Sequence, residues 1–284
     1  MRIAYLILAH AGLSHLDRLI AALNDTGSMF VVHVDSYSLQ NYVSPLPNVT
    51  VLRERTHVNW GGYSQTRAEL ALLRRAVQTP ADYYVLISGT HYPIRPNQFL
   101  YDQLAGGDEF LSARPVPTED KPLSRFEHYY FDFDRRTRSV SHYALRGAEA
   151  ALRLLGVKKP IPFALYAGSN WFALTHAAVA YIFDTLDRDP RYAGFFRTSL
   201  FPEEAIFQTI LGNSPWRPRL RHCLTYSDWS TVPGPAIIGD RHLDELYRQD
   251  TFTSDYGEFK PFFARKFDPH NTRVLDIVDR RLRK

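Results

Sequence analysis

The chain has 284 residues, 45% of them hydrophobic and 23% charged, a balance that excludes a disordered or fibrous protein and fits one α/β domain with a substrate-binding lobe. The net charge is only +4, and its basic excess is not gathered into a run able to track a nucleic-acid backbone, so nucleic acid is not an expected partner. Arg280, Arg281, Arg283 and Lys284 form a short C-terminal cluster, compatible with at most weak association with a membrane surface.

Cys223 is the single cysteine, which excludes an intramolecular disulfide framework and a cysteine-rich zinc site and fits a reducing, cytoplasmic setting. Aromatic residues, at 14%, serve core packing first; they also stack well on sugar rings.

In chain order, Ile3 to Leu8 reads as a buried strand, too short in its apolar run to span a bilayer. A helical pattern over Leu13 to Leu23 and an apolar run from Met29 to Asp35 follow, giving the strand-helix-strand opening of a parallel sheet. Val49 to Leu52 reads as a short strand, Thr66 to Val77 as an amphipathic helix and Tyr83 to Ser88 as a buried strand ending at Gly89. In open α/β sheets ligands lie beyond the carboxyl ends of strands, which brings His10, Asp35, Ser88, Gly89 and His91 to one rim as the candidate nucleotide site.

Residues 1–108 are thus read as a nucleotide-binding half and residues 109–284 as an acceptor-binding and catalytic half. The stretch from Glu109 to Lys159 is mixed, with Arg125 and Glu127 in a run of aromatic and charged residues and a helix over Tyr143 to Leu155. Gly168 to Leu174 reads as a strand, His176 to Leu186 as a helix, and a further helix is expected from Pro202, since proline and acidic residues suit a first helical turn.

The first strand leads into Ala9-His10-Ala11-Gly12 rather than Gly-x-Gly-x-x-Gly, which disfavours a dinucleotide-binding oxidoreductase; the phosphate-binding loop and the serine-hydrolase elbow are also missing. The Asp-x-Asp triplet Asp132-Phe133-Asp134 lies away from a strand end and precedes Arg135-Arg136, so a solvated acidic turn competes with a metal site there. Asp35 ends a strand and suits a ribose or uracil edge, or equally a turn cap.

Four segments together resemble the core-2/I-branching β-1,6-N-acetylglucosaminyltransferase family, which also contains the peptide O-xylosyltransferases. They are Ile3 to His10 with Val32 to Asp35; Val58-Asn59-Trp60-Gly61-Gly62-Tyr63-Ser64; Tyr83 to Pro96; and Gly168 to Phe172 with Pro202-Glu203-Glu204, Tyr226 to Ser230 and Phe263 to Asp268. The resemblance implies a GT-A fold with a Rossmann-like mixed sheet, a UDP-sugar donor carrying N-acetylglucosamine or xylose, a glycan or glycoside acceptor, inversion at the anomeric carbon, and no metal or other cofactor. It puts the catalytic base at Glu204, the diphosphate contacts at Arg265 and Lys266, donor contacts at Trp60 and Tyr63, and acceptor contacts at Tyr226 and Trp229, with Ser169, Asn170 and Trp171 on the acceptor side.

The residues independently suit those roles. A nucleotide diphosphate leaves as a stable anion, so one carboxylate that takes the acceptor proton suffices, and fixed cations can replace a metal at the leaving group. Glu203 is the rival base, pointing about 100° away if the segment is helical. Two departures stand out. His91 replaces the acid in the family's Gly-x-Asp pattern, and Val232 to Ile238 offers no second basic residue for the diphosphate, leaving Arg241 or Arg265 to substitute. The cysteines and anchor of animal relatives are absent, which points to a soluble, bacterial-style enzyme.

Overall fold

The computed structural model describes residues 1–135, 138–231 and 234–284; Arg136 and Val232-Pro233 lie outside the described residues. Its strands are β1 (Ile3–Ala9), β2 (Ser28–Val34), β3 (Val49–Val51), β4 (Tyr83–Ser88), β5 (Tyr92–Pro93), β6 (Glu109–Leu111), β7 (Arg114–Pro115), β8 (Tyr166–Ala167), β9 (Phe172–Thr175), β10 (Leu220–Arg221), β11 (Thr225–Ser227), β12 (Phe252–Ser254), β13 (Gly257–Phe259) and β14 (Phe263–Arg265). The helices are α1 (Leu13–Leu23), α2 (Tyr63–Ala76), α3 (Asn97–Leu104), α4 (Ser124–Glu127), α5 (Val140–Leu154), α6 (His176–Arg188), α7 (Pro190–Phe196), α8 (Ile206–Gly212), α9 (Asp240–Arg248) and α10 (Thr272–Arg281).

Seven strands form one mixed sheet in the order β10-β6-β9-β4-β1-β2-β3. Helices cover both faces, so β1 and β4 are apolar throughout rather than alternating with polar residues. Ile3, Tyr5 and Ile7 face a core shared with α1, α9 and α10; Ala4 and Leu6 face a second core with α2, α6 and α8. This is the α/β architecture with a GT-A-like mixed sheet that the sequence predicts.

Only β9 runs against the other sheet strands, pairing antiparallel with β4 and β6. The consequence matters for the site. The amino end of β9, with the loop that precedes it, lies on the same rim as the carboxyl ends of β1, β2 and β4.

Two expectations are corrected here. Gly168 to Trp171 is loop, and β9 begins only at Phe172, because Gly168 crosses Ser112 so closely that a Cβ would collide with its carbonyl group. Pro202–Glu204 is a 3-10 turn and the α-helix starts at Ile206. The mixed segment after residue 108 opens with β6, a strand of the main sheet, where buried Glu109 accepts bonds from the Thr175 backbone and hydroxyl at 2.8 and 2.7 Å.

Candidate active site

The chain enters the Pro202–Glu204 turn through Phe201, a non-glycine residue at φ 51° and ψ 54°. A left-handed conformation costs such a residue about 1–2 kcal/mol, and the neighbouring structure holds it. The Phe201 amide donates to the Gly61 carbonyl at 3.1 Å, Trp60 meets the ring edge-on at 4.9 Å and the Arg125 guanidinium lies over it at 5.1 Å. Gly61, at φ 78°, gives this turn room: a Cβ there would approach Phe201 to 3.2 Å. Trp60 and Gly61 therefore buttress the turn that presents Glu204.

Glu204 Oε2 accepts from Lys121 Nζ at 2.7 Å and Arg125 Nη1 at 3.0 Å, and its main-chain carbonyl accepts from the Gly168 amide at 2.8 Å. Lys121 was not legible as a partner, being 83 positions away in a segment with no recognisable motif. Glu203 turns inward and is 4% exposed. Burial, and then the charge of Glu204, push its carboxyl up to about 8, so it is held mainly neutral at pH 7. Fully buried Glu69 on α2 is likewise raised, by burial and by Glu203, and the side-chain amide of Asn170 faces it. Asn170 thus lies in a buried polar layer behind Glu204 rather than on an open acceptor surface.

Beyond β4, Ser88 N donates to His91 Nδ1 at 3.0 Å. Because an amide only donates, the ring proton sits on Nε2; burial and nearby Arg265 lower the His91 pKa well below its usual value. His91 is fully buried, edge-on to Trp171 at 4.6 Å, so it supplies no positive charge to the rim. Trp171 in turn supports Arg265, whose guanidinium lies over the indole at 4.7 Å. Burial lowers Arg265 to about 10 while the charge of Glu204 opposes the shift, so it remains a cation at neutral pH.

Lys266 follows directly. Its carbonyl accepts from the Ile238 amide at 2.8 Å, and the Phe267 amide donates to the Thr90 carbonyl at 3.0 Å, which joins the Arg265-Lys266 pair to the end of β4. β11 runs parallel to β14 with Ser227 opposite Arg265, bringing Tyr226 alongside. Tyr226 lines a cavity of about 390 Å³ with Asp228, Ser230, Arg241, His242 and Glu245, and its hydroxyl donates to Glu245 at 3.0 Å. Trp229 next to it is 63% exposed.

The rim thus gathers Glu204, Arg125, Ser169, Trp171, Arg265 and Lys266, with Ser88, Gly89 and His91 behind and Tyr226 and Trp229 beside them. Other expected residues sit elsewhere or do other work. His10 follows β1 and is exposed. Asp35 Oδ1 accepts from the amides of Tyr37 at 2.9 Å and Val58 at 3.3 Å, the turn-capping use. Tyr63 is buried in the α2 core. Glu127 pairs with Lys158 at 2.8 Å, away from Glu204. Arg241 is held by Asp228 at 2.7 Å.

Asp132 of the Asp132-Asp134 pair fits a scaffold role. Asp132 Oδ1 accepts from Asn59 Nδ2 and Ser64 Oγ, both at 2.9 Å, and lies so close to Gly62 that a Cβ there would strike it. This carboxylate pins the loop that buttresses Phe201. Among the described residues no group of three or more His, Cys, Asp or Glu is arranged to hold a metal.

A family model described as "Core-2/I-Branching enzyme" matches residues 3–251. The chain is similar to Xylosyltransferase 2 of Rattus norvegicus, 28% identical over 303 residues covering 98% of this chain and 33% of the relative. Xylosyltransferase 2 of Homo sapiens gives the same figures, and Xylosyltransferase 1 of Rattus norvegicus is 27% identical over 305 residues, covering 98% and 35%. The chain therefore spans about a third of the length of these relatives. With a family model matching from the first strand through α9, the chain belongs to the Core-2/I-branching enzyme family.

Proposed function

We propose that this chain is an inverting, metal-independent glycosyltransferase that moves a sugar from a UDP-sugar to a hydroxyl of a glycan or glycoside, forming a β-linkage. The observation that carries the proposal is Glu204 at the rim. Lys121 and Arg125 both bond its Oε2 and leave Oε1 to take a proton. Glu204 removes the acceptor proton, the acceptor oxygen attacks the anomeric carbon from the face opposite the diphosphate, and the bond from that carbon to the diphosphate oxygen breaks. Arg265 and Lys266 meet the charge that develops on the departing UDP, the work a divalent cation does in metal-dependent relatives.

The names of the relatives favour xylose over N-acetylglucosamine as the donor sugar. His91, neutral where the family pattern has an acid, alters the wall behind that sugar. Trp229, exposed beside Tyr226, suits stacking on the acceptor.

Donor binding is testable by thermal unfolding in EDTA. A UDP-sugar at a hundred times its dissociation constant stabilises the fold by about 2.7 kcal/mol, so UDP-xylose is expected to raise Tm by several degrees with the metal chelated. A shift that appears only when a divalent cation is restored would return the function to the metal-dependent class.

A further inference from the structure

Helix α5 turns a mixed side inward, burying His142 and Glu149 with Leu145 and Leu152 half-buried beside them. Ser139 caps it, its side chain accepting from the His142 amide. At about 100° per residue, His142 and Glu149 fall on one face and both are buried. Glu149 is held there by Arg135 at 2.6 Å and by the Phe131 amide at 2.8 Å; His142 packs edge-on against Phe133 at 5.2 Å.

The opposite face carries Val140, Tyr143, Gly147, Ala151, Leu154 and Leu155, all exposed. Val140 is 88% exposed, Tyr143 61%, Leu154 91% and Leu155 77%. A surface helix normally turns such a stripe to the core, so an apolar row of this length left outside calls for an occupant.

Charge selects the occupant. From Arg135 to Lys159 the sequence has seven basic residues (Arg135, Arg136, Arg138, Arg146, Arg153, Lys158, Lys159) and one acid, Glu149. That acid is buried against Arg135, so the exposed flank of the helix at Arg146 and Arg153 is basic, with Arg153 lying over the Tyr130 ring at 4.8 Å and Arg138 just ahead of the helix. A second copy of the chain docking antiparallel through this face about a two-fold axis would bring the basic flank against itself. An anionic lipid surface accepts both features at once, apolar side chains in the acyl boundary and basic ones among the head groups.

We propose that α5 is a membrane-docking helix that lies in the plane of an anionic bilayer surface, inserting Val140, Tyr143, Leu154 and Leu155. The proposal stands apart from the transferase chemistry. The surface is tied to the segment bearing Arg125 through Glu149–Arg135 and Glu127–Lys158 contacts, so docking fixes how the rim meets the membrane.

The test is co-sedimentation of the purified chain with vesicles of phosphatidylcholine alone and with phosphatidylcholine containing roughly one-third phosphatidylglycerol. Binding is expected only to the anionic vesicles, and about 0.5 M salt, which shortens electrostatic reach to a few ångströms, is expected to release it. The Leu154→Asp/Leu155→Asp variant and, separately, Arg146→Glu should each lose at least about tenfold in partitioning, with Tm unchanged because these side chains are exposed. No binding to either vesicle, equal binding to both, or full binding by the leucine variant would overturn the proposal. A lipid-free dimer in analytical ultracentrifugation that the leucine variant dissociates would also overturn it, giving the face to a second copy.

Discussion

Replacing Glu204 by glutamine is expected to slow sugar transfer at least about a hundredfold while leaving UDP-sugar affinity nearly unchanged. Removal of a general base typically costs 10²–10⁴-fold in rate, and glutamine keeps the shape that Lys121 and Arg125 grip. The loss should therefore fall on kcat rather than on donor binding.

Glu203→Gln provides the contrast, with an expected loss below about tenfold. In the 3-10 turn adjacent side chains point about 120° apart, and Glu203 faces Glu69 in the interior. Since its carboxyl is raised to about 8, glutamine replaces a group that is already mostly neutral at pH 7. The sign of the pH effect follows. A carboxyl whose pKa rises from 4.5 in the unfolded chain to about 8 in the folded one binds more protons when folded, so its contribution to stability is full below about 4.5 and is lost as pH rises toward 8. Thermal unfolding at pH 5 and pH 8 should show a smaller decline for Glu203→Gln than for the wild type. If instead Glu203→Gln abolishes transfer and Glu204→Gln spares it, the base is Glu203.

Lys266→Ala is expected to weaken UDP binding by about tenfold or more, since hydrogen bonds to charged groups contribute roughly 1.5–3 kcal/mol. Lys266 is the better probe of the proposed diphosphate site than Arg265. Arg265 packs on Trp171, so truncating it leaves a gap and mixes packing with charge. Lys266 is only partly buried, and its backbone contacts survive substitution. Calorimetric titration with UDP reads the effect; unchanged affinity would remove Lys266 from the mechanism.

How far the sequence foretells this arrangement varies by element, for physical reasons. The spans of α1 and β4 are legible to the residue, because both faces of the sheet are covered and α1 keeps an unbroken apolar period. β6 is not, being three residues long and led by a buried glutamate whose partner, Thr175, lies 66 positions away. The extension of β9 back to Gly168 fails because Gly168 lies in a loop pressed against the Ser112 carbonyl rather than in strand pairing.

In the site, Glu204 and Arg265 lie close enough for their charges to interact because each ends or follows an element fixed at the rim, and Lys266 follows Arg265 directly. Lys121 and Glu69 escape notice, since their importance comes only from burial and from neighbours distant in sequence. Asp35, Tyr63 and Glu127 carry plausible side chains, but caps, packing and an ion pair occupy them. Helix α5 shows the limit most clearly: periodicity identifies the helix, yet which face turns inward depends on Glu149 finding Arg135.

The central claim, that this rim transfers sugar from a nucleotide without a metal, is tested most directly by following UDP release from UDP-xylose and UDP-N-acetylglucosamine in EDTA, with and without a panel of glycan and glycoside acceptors. The account predicts acceptor-dependent UDP release that persists in EDTA and falls at least about a hundredfold in Glu204→Gln. Release that vanishes in EDTA and returns with a divalent cation, or that is the same in the Glu204→Gln variant, would contradict it.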